Sequence, residues 1–343
     1  MSSFAVVRCR LAIAIPFAAS LILLAPTPAF AHASDRGHVL LLPTGYYVAG
    51  GALAVAASFL VLALLPSDFP ARIWWRRLPL FAFGNGARAI VSLISFAGFA
   101  ILIAAGLFGS RDPLSNPLPL AIWTLLWVGL VLLQGLLGNL WSWLNPWYGP
   151  WRVISRLFGK RQTWRPPPWL GCWPAVVLFF AFAWFELIDR APGFYWLLSF
   201  AAMLVFGYRD WSRRGEFLAV FFAMIARFAL LERNEVERSE GGRLSLCWPG
   251  ATLSDAAPLS LSGIAFLLLA LSSVSFDGLS KTFFWLGLFG LNPLEFPGRT
   301  AVIGIGTFGL VLTFVLLAAA FILAIVLGQR LAGSQHSLSQ AAG

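Results

Sequence analysis

Five residues stand where chemistry could be built: His32, His38, Glu186, Asp189 and Asp277. His32 and His38 are two of only three histidines and share the stretch "TPAFAHASDRGHVLLLPTGYY", between two apolar runs. Were His32 the first residue of a processed chain, its amine and imidazole would chelate one metal ion. A second histidine would then complete a copper site, with zinc as the other candidate. Six residues of extended chain span ~20 Å, so only a turn through Asp35, Arg36 and Gly37 brings the two rings to one ion. Glu186 and Asp189 lie three apart near the end of an apolar run, hence on one face of a helix. Such a pair binds a cation or shares a proton; with Arg190 as neighbour it also reads as a solvated helix end. Asp277 closes another apolar run in "SSVSFDGLSK", as a turn residue or as a site. Arg227, about one turn from the end of its run, reads as a snorkelling cation.

The elements that must position these residues follow from composition. Apolar residues make up 59% of the chain and charged residues 11%, against about 25% charged in an ordinary soluble domain. Water cannot be the solvent for so much apolar surface, and lipid can. The predicted class is all-α, a polytopic helical membrane protein with about eight spans. The net charge of +10 comes from 22 Arg and 2 Lys in clusters between apolar runs, the pattern of cytoplasmic loops rather than of a nucleic-acid-binding face. The lipid bilayer is the expected partner, and nucleic acid is not.

The front of the chain has the three regions of a secretory signal peptide. "MSSFAVVRCR" is basic, "LAIAIPFAASLILLA" is apolar, and "PTPAFA" supplies small residues at Ala29 and Ala31. Residues 1–31 are therefore expected to leave and 32–343 to form one membrane domain, although cleavage after Ala33 is also allowed and would remove His32. Spans are predicted near 45–65, 89–108, 117–138, 171–188, 193–208, 216–231, 259–276 and 300–328. An exported N-terminus puts 66–88, 139–170, 209–215 and 277–299 in the cytoplasm, with 14 Lys or Arg against 7 opposite. "ERNEVERSEGG" is then periplasmic. "SKTFFWLGLFGLNP" is too short to span and reads as an interfacial or re-entrant helix.

The loop 139–170 and its borders hold Trp141, Trp143, Trp147, Trp151, Trp164, Trp169 and Trp173. An aromatic belt at the lipid boundary is one reading, and a partner-docking surface the other. Cys172 and Cys247 are expected on opposite sides, which forbids a disulfide between them. No GxSxG or HExxH motif is present.

The segments "AHASDRG…LLLPTGYYVAGGALAVAASF", "LWSWLNPW", "RDWSRRGE" and "FDGLS" resemble a bacterial multipass membrane family, some members of which carry the name fenitrothion hydrolase. The resemblance implies a location in the inner membrane and hydrolysis of an organophosphorus triester with release of a phenol. Three histidines cannot build the two-metal cluster such hydrolysis commonly uses. Hydrolysis would then depend on a partner membrane subunit, or on Asp35, Glu186 and Asp189 with His32 and His38.

Overall fold

A computed structural model of the chain describes residues 44–64, 77–110, 112, 115–159, 166–187, 194–235, 241–254, 256–292 and 299–332. His32, His38, Asp189 and the expected signal peptide lie outside these residues. The chain divides into two compact units. The smaller takes in α1 (Thr44–Leu64), an apolar helix with an exposed surface at Tyr46, Leu53 and Phe59. It also includes a five-residue helix, Phe283–Gly287, whose N-terminus is capped by the Thr282 hydroxyl. At that length it cannot cross a bilayer.

The larger unit begins with strand β1 (Leu78–Gly84), which runs into α2 (Asn85–Phe108). After α2, Asn116 donates to the carbonyls of Ala105 and Ser110 and caps α3 (Pro117–Leu137). The middle of α3, Leu120–Leu130, is π-helical. Next come the short helices α4 (Trp141–Leu144) and α5 (Tyr148–Leu157), then α6 (Trp173–Leu187), α7 (Phe194–Phe206), α8 (Tyr208–Arg214) and α9 (Phe217–Ile225). Strands β2 (Leu231–Glu235) and β3 (Gly241–Leu246) follow, then the long helices α10 (Leu261–Ser280) and α11 (Arg299–Ala332).

Among the described residues, five helical segments are long and apolar enough to cross a membrane: Gly86–Phe108, Pro117–Leu137, Pro168–Leu187, Leu261–Ser280 and Val302–Leu331. Their outer surfaces are Leu, Ile, Val and Phe, as a hydrocarbon solvent requires. The helical membrane class therefore holds. A small sheet was not foreseen: β1 pairs antiparallel with β3, and β3 with β2. An ion pair between Arg77 and Glu232 links the chain just before β1 to β2.

This sheet corrects the expected sidedness. Charge counting places residues 66–88 and 232–258 on opposite sides of the membrane, yet β1 and β3 are hydrogen-bonded neighbours. An even number of crossings must separate them, and α9 is the segment that does not cross. Arg214, just before α9, donates to the carbonyls of Pro166 and Pro167 ahead of α6. Leu230, just after it, donates to the carbonyl of Leu136 at the end of α3. Both flanks of α9 thus sit at the sheet end. Phe217, Leu218, Val220 and Phe222 are buried inside the unit rather than turned to lipid. Cys172, against the Arg213 carbonyl, and Cys247, against that of Leu230, share this end, and both are free thiols.

Gly138 makes the join between α3 and β2. Its φ of 88° suits glycine alone, and a Cβ there would stand 2.4 Å from the Leu231 carbonyl oxygen. α10 starts beside α6, where the Ser262 hydroxyl accepts from the Cys172 amide. α11 runs the other way: Thr307 meets Trp184 late in α6, and Phe314 joins the cluster of Phe179 and Phe266.

Candidate functional site

Two aromatic regions of the larger unit carry polar groups, buried in the first and exposed at the rim of the second. The first is built by residues 139–158, expected as a belt or docking loop. Trp141, Trp147 and Tyr148 are instead buried, and Asn145 has no exposed surface. The segment re-enters the helical unit along α2. Arg88 Nε donates to the Ser142 carbonyl, and the Ser95 hydroxyl donates to the carbonyl of Leu144. The Trp147 ring reaches Phe96 and Phe99, at 6.0 and 5.6 Å between centroids.

An irregular chain at this depth survives only when its backbone groups find partners inside the protein. Ser92 provides two, donating to the Asn145 carbonyl at 2.6 Å and accepting from the Gly149 amide at 2.7 Å. Asn145 Oδ1 accepts from the Trp147 amide, and its Nδ2 donates to Glu216 Oε2 at 3.1 Å. That same oxygen accepts from Trp141 Nε1 at 3.1 Å and from the Ala219 amide at 2.8 Å, which makes Glu216 the N-cap of α9. Glu216 is 1% exposed. Its second oxygen is buried with no hydrogen-bond partner among the described residues. Beside this network the Arg88 guanidinium lies 4.1 Å from the Tyr148 ring centre and 5.4 Å from that of Tyr208. Gly149 allows the close approach of α5 to α2: a Cβ there would fall 2.7 Å from Leu93 Cγ.

The second region is a cleft of about 300 Å³ between α2, α3, α6 and α9. Phe99, Trp123, Trp127, Phe182 and Phe217 form its aromatic walls, and Glu186 is the one ionisable residue among the described residues that line it. Ile122, Trp123, Leu126 and Trp127 all belong to the π-helical part of α3. Wider helical turns change which side chains share a face, and such segments recur at functional sites. Trp127 meets Phe182 and Phe221 at 5.7 and 5.9 Å, which fixes the inner wall. Trp123 is 49% exposed, so the cleft opens on the outer surface of a membrane-length helix.

Of the described residues expected to do chemistry, Glu186 lies in this cleft. Asp277 is exposed in the last turn of α10, where its carbonyl accepts from the Ser280 hydroxyl, and is not part of the lining. Arg227 sits in the turn after α9, its carbonyl held by Thr252. Glu186, Arg227 and Asp277 therefore do not converge. No group of three His, Cys, Asp or Glu side chains able to hold a metal ion occurs among the described residues. The expected copper or zinc ligands His32 and His38 lie outside them.

Sequence reading passed over Glu216, Asn145 and Ser92. A signal was present: "LWSWLNPW" and "RDWSRRGE", two segments quoted for the family resemblance, supply Trp141, Asn145 and Glu216, which the fold hydrogen-bonds together. A glutamate directly before the apolar run "FLAVFFAMIARF" is also a helix-capping position. No family model, curated protein or solved structure matches this chain.

Proposed function

We propose that this is a membrane protein that takes a small, uncharged aromatic compound from the bilayer into the cleft beside Glu186. The observation that carries the reading is the cleft itself. It has the volume of a small-molecule site, aromatic walls, an opening at Trp123 on a lipid-length helix, and one carboxylate. Aryl side chains stacking on Trp127 and Phe182 would bind a flat apolar ring, and Glu186 would orient a dipole or accept a proton.

The family resemblance gives the substrate class, an aryl organophosphorus triester, and this class fits the cleft. Its hydrolysis breaks a P–O bond, adds water at phosphorus and releases a phenol. Glu186 is a base for that water, and the described lining residues include no cation to stabilise charge on the phosphoryl oxygen. In this reading the chain is the membrane-embedded, substrate-binding component, and a partner subunit completes catalysis.

The sheet end faces the cytoplasm in this reading, in the inner membrane of a bacterium. Arginines 77, 88, 152, 156, 209, 213, 214, 227, 233 and 243 belong to segments at that end, and Arg330 to the far end of α11, which returns there; Arg299 alone among the described arginines of this unit starts a helix at the other end. Among the described arginines of this unit the bias is toward the sheet end, as the positive-inside rule favours on the cytoplasmic side.

Equilibrium dialysis of a nitroaryl phosphotriester against the purified protein in phosphatidylcholine nanodiscs tests the proposal. Saturable binding is expected, weakened about tenfold, or 1.4 kcal/mol, by Trp127→Ala. Binding that does not saturate, or is unchanged in Trp127→Ala and Phe182→Ala, refutes it. Release of a nitrophenol by the protein alone would assign the full hydrolase activity to this chain.

A further inference from the structure

A second groove lies on the opposite flank of α2, where α5 diverges from it. The two helices touch at Gly149 and Leu93 and then part, leaving a space of about 240 Å³. Arg152 and Arg156, one helical turn apart, border it on α5; Gly86 and Ala89 floor it on α2, and Ile90 and Leu93 extend it along the helix. Arg156, Ile90 and Leu93 are exposed, and Arg152 is half-buried with its guanidinium against the Tyr148 hydroxyl at 3.5 Å. A Cβ on Gly86 would meet nothing within 4 Å, so the space is open at its floor.

We infer that this groove binds the headgroup of an anionic membrane phospholipid. Three observations carry the assignment. Two cationic side chains at helical spacing converge on one small-residue floor, and guanidinium forks match phosphate oxygens. The groove continues into Ile90 and Leu93 on a helix long enough to span lipid, which gives an acyl chain a path that a free phosphate would not need. It also lies at the arginine-rich end of the unit, where anionic headgroups and cationic pockets meet. A cation at the C-terminal turn of α5 is favourable in itself for Arg156. The inference uses none of the cleft residues and rests only on the chain being a membrane protein.

Native mass spectrometry of the detergent-purified protein, titrated with phosphatidylglycerol and separately with phosphatidylcholine, tests it. One saturable phosphatidylglycerol molecule is expected, with affinity falling at least about tenfold in Arg152→Gln/Arg156→Gln. Gly86→Leu, which fills the floor and keeps both charges, is expected to do the same. Arg209→Gln should leave binding unchanged. Equal retention of the two lipids overturns the inference, as does unaltered phosphatidylglycerol binding in Gly86→Leu. Competition by millimolar inorganic phosphate with no preference for the lipid would mark a free-anion site instead and also overturn it. If the double variant does not fold, Gly86→Leu alone decides.

Discussion

Glu216 and Glu186 are both carboxylates among aromatic rings on the walls of one helical unit, and their surroundings differ in kind. Glu216 has one oxygen fixed by three N–H donors, caps a helix and is not among the residues lining the cleft. Glu186 stands at the rim of about 300 Å³ of open space lined by rings. A carboxylate that holds several donors serves architecture, because each of its bonds fixes another segment of chain. One beside a void leaves room for a ligand to meet it. The same aromatic residue types therefore serve two ends: in the re-entrant segment they close the core, and in the cleft they line a space.

That contrast can be broken by mutation. The largest effect is expected for Glu216→Ala, which orphans the buried donors of Trp141, Asn145 and Ala219 at about 1–3 kcal/mol each. Failure to fold, or a large drop in the thermal midpoint in detergent, should follow. Glu216→Gln keeps the accepting oxygen and is expected to lose much less. If the two variants behaved alike, Glu216 would not be the anchor of the re-entrant segment.

Ser92→Ala comes next. It removes one donor and one acceptor from the backbone of Asn145 and Gly149, for a loss of about 1–3 kcal/mol in chemical denaturation. Arg88→Lys should cost about 1 kcal/mol, since an ammonium cannot lie flat on Tyr148 and also donate along the guanidinium fork to Ser142. The smallest effect on stability belongs to Glu186→Gln, expected within about 0.5 kcal/mol of the parent while changing the affinity for a nitroaryl ligand. A Glu186→Gln protein as unstable as Glu216→Ala would erase the distinction between the two carboxylates.

Sidedness sharpens the comparison, because it says which solvent each region borders. In a Cys172→Ser/Cys247→Ser background, Trp248→Cys, exposed beyond the sheet, should react with an impermeant maleimide only after lysis. Ser115→Cys, exposed in the turn between α2 and α3, should react in intact spheroplasts. The reverse pattern would invert the orientation, and equal labelling of both would contradict the even number of crossings.

Much of the fold was legible because lipid imposes a plain rule: a run of ~20 apolar residues closes its own hydrogen bonds as a helix. The runs near 89–108, 117–138 and 171–188 obeyed it, and helices formed there. The rule misread 216–231, which is equally apolar but is buried by protein instead of lipid; hydropathy does not distinguish the two solvents. It also missed the sheet, since "LPLFAFG" carries no polar alternation, "GGRLSL" alternates over only its last four residues, and the two lie far apart in sequence. The tryptophans of 139–151 read as a belt because amphipathic rings suit an interface. Ser92 and Ser95, which make burial affordable for the backbone they hold, lie some fifty positions away.

Composition and periodicity alone determined that this chain is a helical membrane protein, because transfer of apolar surface to lipid depends on residue type and run length and on little else. They also singled out Glu186, since a charge within an apolar run is costly wherever the run is placed. Only the tertiary structure decided that Asn145 meets Glu216, that α9 returns to the end it came from, and that Glu186 faces an aromatic cleft. Those outcomes hang on contacts between segments 50 to 150 residues apart, and local sequence carries no record of which distant partner satisfies a buried polar group.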